Sequence, residues 1–163
     1  MSRISIIYKS NMPIEQQRAP LIHEFASMPP LVPMRLAIAE LSAQHLTLTA
    51  PLDANINDKG TAFGGSLTSL MTLACWGLVT AVLRDNGLDC DVYVAESTVK
   101  YLKPVREELI ATATFTDDSD IAACTEQLKA KGKAKLWLQA KVVLQDGTVA
   151  ATLSGKYAAF VRQ

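Results

Sequence analysis

The chain has 163 residues, of which 49% are apolar and 20% charged, so it is long enough for one ordinary domain with a buried core. Sixteen basic side chains balance sixteen acidic ones, and only 6% of the residues are aromatic. Such a balance excludes a strong electrostatic attraction to nucleic acid or anionic lipid, and so few rings argue against base stacking. We expect a soluble, cytoplasmic, single-domain protein with no nucleic-acid partner.

The first 33 residues are predicted to form an N-terminal arm with one short helix. Residues 1–17 become polar again after three apolar residues, so we expect no signal peptide. Ile14–Ser27 fits an amphipathic helix that Pro20 interrupts and that the prolines at 29, 30 and 33 end. Arg35–Ser42 and His45–Pro51 then predict a short hairpin at the start of a core that spans residues 34–163.

A long apolar helix is predicted over Gly64–Leu83, where twenty consecutive residues carry no charge. The length is just sufficient to cross a bilayer. Five hydroxyl side chains lie within it, however, and the rest of the sequence contains no second hydrophobic span. A helix that is apolar on nearly every side is also what the centre of a globular core requires. We therefore predict a buried core helix and no membrane span.

Four strands are predicted after this helix. Asp91–Lys103 is rich in β-branched residues, and Leu109–Thr116 alternates before a turn-rich segment at 117–120. Lys133–Gln145 and Thr148–Val161 alternate strictly and are joined through Asp-Gly, a dipeptide suited to a tight hairpin. Lysines at 129, 131, 133 and 135 are interpreted as a solvated face, with contact to coenzyme A phosphates as the alternative. The order of elements indicates an α+β fold whose sheet curls around the helix.

The segment Pro51–Ser66, which precedes the helix, concentrates turn formers and polar groups. Gly64 and Gly65 remove side chains where backbone N–H groups of a helix lack partners, and the helix dipole there favours negative charge. A ligand oxygen, such as a thioester carbonyl that becomes an oxyanion, could bind these amides. Tight packing of the helix against a strand would explain the same two glycines, so both interpretations stay open.

The run NINDKGTAFGGSL at Asn55–Leu67, leading into the long helix, resembles the signature of hotdog-fold acyl thioesterases. The stretch YLKPV at Tyr101–Val105 is similar to the element that those proteins carry on the strand after the helix. The closest similarity is to the thioesterase domain found elsewhere fused to GNAT-type acetyltransferases. The resemblance covers about residues 34–161.

This resemblance implies a hotdog fold, in which a curved antiparallel β-sheet wraps a long central helix. It also implies a homodimer or dimer of dimers with acyl sites between subunits. Gly65 matches the position whose N–H polarises the thioester carbonyl. Asp58 matches the loop position that activates water or attacks the carbonyl, with Asn57 beside it to orient one of them. On spacing alone, a turn-capping role for Asp58 and backbone hydrogen bonds for Asn57 are equally compatible with the sequence.

The sequence departs from the wider family on the helix. Many hotdog thioesterases place a carboxylate about seven residues after the second glycine, where this chain has Thr72. Ser66, Ser69 and Thr72 form one hydroxyl stripe, which orients water or the thioester, or else bonds the carbonyls four residues back. The residues predicted to bind substrate are Thr61, Phe63, Gly64, Ser66, Ser69 and Thr72.

The predicted activity is hydrolysis of an acyl-CoA or acyl-carrier-protein thioester, with Asp58, Gly65 and Asn57 as the catalytic residues. No metal or redox cofactor is expected, since coenzyme A or phosphopantetheine enters as part of the substrate. One alternative is a non-catalytic acyl-binding or dimerisation module of the same fold. A hotdog dehydratase or hydratase is less favoured, because neither His23 nor His45 lies in the loop. The three cysteines, Cys75, Cys90 and Cys124, are expected to be unreactive, with no disulfide framework and no zinc site.

Overall fold

Six antiparallel strands form one sheet in the computed structural model, which describes residues 12–162. The order in the sheet is β1-β2-β4-β5-β6-β3, so β1 and β3 are the edge strands. The predicted polar start and the first part of the predicted arm lie outside the described residues. The strands are β1 (Ala37–Leu41), β2 (His45–Ala50), β3 (Cys90–Tyr101), β4 (Leu109–Phe115), β5 (Lys133–Val143) and β6 (Val149–Val161).

The sheet wraps one long helix, α2 (Gly64–Asp85), which contacts β2, β3, β4, β5 and β6. Thirteen of its residues are buried, among them Leu70, Met71 and Leu78. The helix is long and apolar enough to cross a membrane, because an 18-residue stretch of it has a mean hydropathy of 1.7. In this structure, however, 72% of that stretch is buried inside the protein. Its apolar surface therefore forms the core of a folded domain. A long helix inside a curved antiparallel sheet is the hotdog fold, so the predicted α+β architecture is confirmed.

The long hairpin of β5 and β6 follows directly from the alternation in the sequence. Every second residue of β5 from Ala134 to Val142 is buried against the helix, and the lysines and Gln139 between them are exposed. The turn after β5 closes through a bond from Gly147 N–H to Leu144 O of 2.8 Å, and Gly147 has a φ of 85°. A positive φ of this size costs glycine nothing, which is why Asp-Gly is favoured at this turn.

Helix α3 (Ile121–Lys131), between β4 and β5, is a helix that the sequence analysis missed. The Asp120 side chain accepts a hydrogen bond from Ala123 N–H at 3.0 Å, and Gly132 ends the helix at a φ of 70°. Cys124 and Leu128, four residues apart, are buried. The solvated face predicted for Lys129 agrees with its exposure and its ion pair with Glu126.

The described part of the arm packs against the C-terminal half of α2. Its helix, α1 (Arg18–Ser27), buries Leu21 and Phe25 in the core. Pro20 lies in the first turn of this helix, where a backbone N–H makes no hydrogen bond within the helix. The N–H that proline lacks is therefore not needed there, and the expectation that Pro20 interrupts the helix was wrong. Arg84 near the end of α2 pairs with Glu24 of α1 at 2.5 Å. Helix α1 therefore lies beside the C-terminal half of α2, away from Gly64.

Candidate active site

The loop between β2 and α2 is a small hairpin that Asn57 holds in shape. Its Oδ1 accepts hydrogen bonds from the N–H groups of Lys59 (2.8 Å) and Thr61 (3.1 Å), and its Nδ2 donates to Thr61 Oγ1 at 2.9 Å. Below this turn an antiparallel bridge joins Ile56 to Ala62. The structure therefore uses the amide of Asn57 and the hydroxyl of Thr61 to organise the loop, and their predicted roles toward substrate remain predictions.

Asp58 lies at the tip of this hairpin. Its side chain is 79% exposed and pairs with Lys59 Nζ at 2.8 Å. The base of the hairpin is the bond from Phe63 N–H to Asn55 O, 2.7 Å long, and Gly65 follows it by two residues. The tip and the base of the hairpin are three residues apart along the chain. The Asp58 carboxylate accepts its side-chain hydrogen bonds from Lys59 Nζ, and among the described residues none joins it to the amide of Gly65.

Two anchors fix the base of the hairpin. Asn55 is buried, and its Nδ2 donates to Met34 O (3.0 Å) and Pro51 O (2.8 Å). Ala62 N–H donates to Val105 O at 2.8 Å, which ties the loop to the YLKPV stretch. The two motifs that carry the family resemblance are therefore neighbours in space. Asn55 was predicted only as one of the turn formers of this segment, although a side-chain amide ahead of a buried helix is a natural anchor for such a loop.

The N-terminus of α2 leaves backbone amides open. The first bond within the helix runs from Leu67 N–H to Phe63 O at 3.1 Å, and no side chain among the described residues caps this end. The amides of Gly64, Gly65 and Ser66 therefore lack helical partners and lie at the positive end of the helix dipole. All three residues are half-buried. Backbone amides in such an arrangement are suited to binding an oxyanion.

Phe63 and Tyr101 flank these amides. A Cβ added to Gly65 would lie 2.3 Å from the ring of Phe63, so the ring packs directly over the bare glycine. The ring of Tyr101 would lie 3.4 Å from a Cβ on Gly64, and its hydroxyl donates to Gly64 O at 3.2 Å. Sequence reasoning quoted Tyr101 as part of a motif but missed its place at the site. The aromatic residue at the head of YLKPV was the available signal.

The predicted hydroxyl stripe lies on the face of α2 that the sheet leaves uncovered. Half-buried residues recur along the helix at Gly65, Ser69, Thr72 and Trp76, whereas the residues between them are mostly buried. Within residues 12–162, the hydroxyls of Ser66, Ser69 and Thr72 form no bond to the carbonyl four residues back. The hydroxyl of Thr125 in α3 does form such a bond, at 2.8 Å. The backbone carbonyl of Thr72 accepts a hydrogen bond from Tyr157 Oη at 3.1 Å.

The remaining reactive side chains lie away from these amides. Burial raises the pKa of the Cys75 and Cys90 thiols to about 12 and that of Cys124 to about 11, which leaves them poor nucleophiles near neutral pH. His45 lies in the β1–β2 hairpin, where Nδ1 contacts Ser42 Oγ and Nε2 contacts Glu40, both at 3.0 Å. His23 is exposed on α1. Within residues 12–162, no cluster of three His, Cys, Asp or Glu side chains could hold a metal ion.

Two cavities formed by the described residues lie away from these amides. One of 260 Å³ is lined by Glu24, Arg84 and Arg162 at the C-terminal end of α2, about 30 Å along the helix from Gly65. Another, of 470 Å³, lies between Gln127 of α3 and the exposed side of Phe160 in β6. The open amides of Gly64 and Gly65 are thus a surface feature of one chain, beside the edge strand β3.

Solved structures share this architecture, and some of them are described as thioesterases. The chain is 30% identical to a protein of unknown function from Chlorobaculum tepidum, with a TM-score of 0.86 over 94% of this chain and 100% of that one. It is 26% identical to a "putative thioesterase" from Shewanella oneidensis, with a TM-score of 0.79 over 91% and 100% of the two chains. A thioesterase from Haemophilus influenzae, 13% identical, shares the fold at a TM-score of 0.69 over 95% of each chain.

Residues 24–161 match the family described as "Putative thioesterase (yiiD_Cterm)". The match covers most of the chain, including the loop, α2 and all six strands. The chain therefore belongs to this family, and the resemblance inferred from the NDKGTAFGG run is confirmed.

Proposed function

We propose that this protein hydrolyses an acyl thioester carried by coenzyme A or by an acyl carrier protein. The observation that carries the proposal is the uncapped N-terminus of α2, where Gly64 and Gly65 present half-buried amides. In this proposal the N–H of Gly65 binds the carbonyl oxygen and stabilises the oxyanion as the tetrahedral intermediate forms. Membership in a family described as thioesterases supports the same reaction.

Asp58 is the proposed general base, which activates the attacking water. Its carboxylate is exposed at the tip of the hairpin, where water reaches it. Direct attack by the carboxylate on the carbonyl carbon is the alternative. The proton of the water passes to Asp58 and then to the departing thiolate. Neither a metal nor a redox cofactor takes part.

A homodimer with its acyl path between subunits is part of the proposal. Edge strand β3 has twelve residues, and Tyr93, Val94 and Tyr101 on it are exposed in the single chain. A long edge with exposed apolar side chains is suited to pairing with another chain. Pairing of two copies along β3 would cover the open amides beside Tyr101. Phe63 and the hydroxyl stripe would then line the path of the acyl chain. A cytoplasmic location is also proposed, since the three cysteines are all free.

Release of free thiol from a panel of acyl-CoA and acyl-carrier-protein thioesters tests the function. We expect turnover by the wild type and a loss of at least about 100-fold in kcat for Asp58→Ala. Asp53→Ala is the matched control, because Asp53 is also an exposed, ion-paired carboxylate in the same connection. Full activity in Asp58→Ala would refute the role of Asp58.

Binding of acyl-CoA without turnover by the wild type would instead identify an acyl-binding module, for which Thr72 at the usual carboxylate position is the motivating feature. Hydration of a crotonyl thioester, measured in parallel, tests for a hydratase.

A further inference from the structure

The carbonyl of Gly64 and the N–H of Gly65 belong to one peptide group. The planarity of that group makes the orientation of one end fix the orientation of the other. The helix gives Gly64 O one acceptor bond from the amide four residues on, and its second lone pair is free to accept another. Whatever binds that lone pair acts on the Gly65 N–H through a single rigid unit.

The hydroxyl of Tyr101 binds this second position. It donates to Gly64 O at 3.2 Å, and it lies 2.5 Å from Thr68 Oγ1. Because the one phenolic hydrogen goes to Gly64 O, the hydroxyl of Thr68 supplies the hydrogen in the second bond. The result is a chain of hydrogen bonds from Thr68 through Tyr101 to the carbonyl of Gly64.

We propose that Tyr101 is a positioning residue that aims and strengthens the Gly65 N–H as an oxyanion donor, an inference that rests on the proposed function. A donor on a peptide carbonyl polarises the whole amide, and consecutive hydrogen bonds strengthen one another by an estimated 10–30% each. The partial positive charge on the amide hydrogen of Gly65 therefore increases, at the place where the oxyanion forms. No hydrogen bond from Tyr101 to the substrate is required.

Tyr101 is itself held from two sides. It is the last residue of β3, and the next two amides, of Leu102 and Lys103, both donate to Ala150 O, at 2.8 and 3.1 Å. Val105, four residues on, accepts the bond from Ala62 in the hairpin before α2. The YLKPV stretch thus fixes the phenol relative to the first turn of α2.

Tyr101→Phe tests this role, because it keeps the ring that contacts Gly64 and removes only the hydroxyl. With a thioester substrate, we expect kcat to fall about 3- to 10-fold and KM to change less than about twofold, since the donor is weakened and not removed. Thr116→Val is the control, because it removes a hydroxyl that also donates to a backbone carbonyl, Trp137 O at 3.3 Å, and lies outside the proposed site. Thr68→Val, which breaks the chain one bond further away, should give a smaller fall in kcat.

A second measurement does not depend on activity. In ¹H–¹⁵N spectra of the free protein, the amide proton of Gly65 should shift upfield in Tyr101→Phe, and it should not move in Thr116→Val. If the wild type turns over thioesters but Tyr101→Phe changes neither kcat nor this amide shift, the inference is wrong and the proposed function stands. If no thioester is hydrolysed, the proposed function fails. An unchanged Gly65 shift would then also refute the action of Tyr101 on this peptide.

Discussion

Gly65 shows how the absence of a side chain shapes this site. Its backbone lies in an ordinary helical turn, so a positive φ does not explain the residue. The reason is steric, because the Phe63 ring occupies the place of a Cβ. Gly65 therefore fits both interpretations of the Gly-Gly pair, tight packing and an oxyanion site. The ring that requires a glycine also forms one wall beside its amide.

The cysteines are separated from the chemistry by burial. With pKa values raised to about 11 or 12, only roughly one thiol in 10³ to 10⁴ is ionised at pH 8. We expect none of the three to react with a disulfide reagent within minutes at pH 8 in the native protein, and all three to react after denaturation. The change in absorbance of the reagent measures the reaction of the thiols in the native and in the denatured protein. Rapid labelling of a native thiol would contradict the burial and would also interfere with an assay of thiol release.

At the scale of elements, the long regular segments were predictable because their period is unambiguous. The uncharged run of α2 was placed with its N-terminus at the correct residue, and the alternation of β5 and β6 with its Asp-Gly turn gave the hairpin. The start of β5 at Lys133 was predicted correctly, but its C-terminal end was not, since Leu144 and Gln145 continue the alternation but belong to the turn. Alternation extends past the last ladder bond wherever a turn residue is also apolar.

Helix α3 escaped prediction because two patterns overlap there. Lysines at 129, 131, 133 and 135 continue the period of two that belongs to β5, and the four turn formers before Ile121 indicate a loop. The caps at Asp120 and Gly132 were legible signals of a helix between them. A helix this short buries only Cys124, Thr125 and Leu128, so its apolar stripe is weak evidence in a sequence.

The candidate site was predictable only as far as local motifs reach. The NDKGTAFGG run located the loop, the glycines and the helix N-terminus. The run did not reveal that the side chain of Asn57 makes its hydrogen bonds within the loop, or that Tyr101 contacts Gly64 from 37 residues away. Such a contact depends on where β3 ends relative to α2, which is set by the register of the whole sheet.

At the scale of the whole molecule, the fold leaves one long strand edge and one helix face uncovered. Both lie beside the open amides, and the chain carries no net charge that would keep two copies apart. The two cavities described above, of 260 and 470 Å³, lie away from the glycines. An acyl chain bound at Gly65 therefore needs further walls, which a second copy paired along β3 would supply.

Val94→Glu tests this assembly. Val94 is 47% exposed on the edge strand, and a carboxylate from each copy would be desolvated beside its counterpart. We expect a dimer for the wild type in sedimentation equilibrium and an increase of about tenfold or more in the dimer dissociation constant for the variant. Thioesterase activity should fall in parallel. Val32→Glu is the control, at a site 58% exposed in the arm. A wild type that is monomeric and fully active would refute the shared site.

The most direct measurement of the central claim compares kcat for thioester hydrolysis in Gly65→Ala and Gly64→Ala, with thermal stability of both as the check on folding. A methyl on Gly65 would lie 2.3 Å from the Phe63 ring, so the ring beside this amide must move, whereas a methyl on Gly64 makes an ordinary 3.4 Å contact with Tyr101. We predict a loss of about 100-fold for Gly65→Ala and of less than about threefold for Gly64→Ala, because the displaced ring and the methyl crowd the place where the carbonyl oxygen binds. Equal activity in Gly65→Ala and the wild type would contradict the account in which a bare Gly65 beside the Phe63 ring admits the thioester carbonyl to this amide.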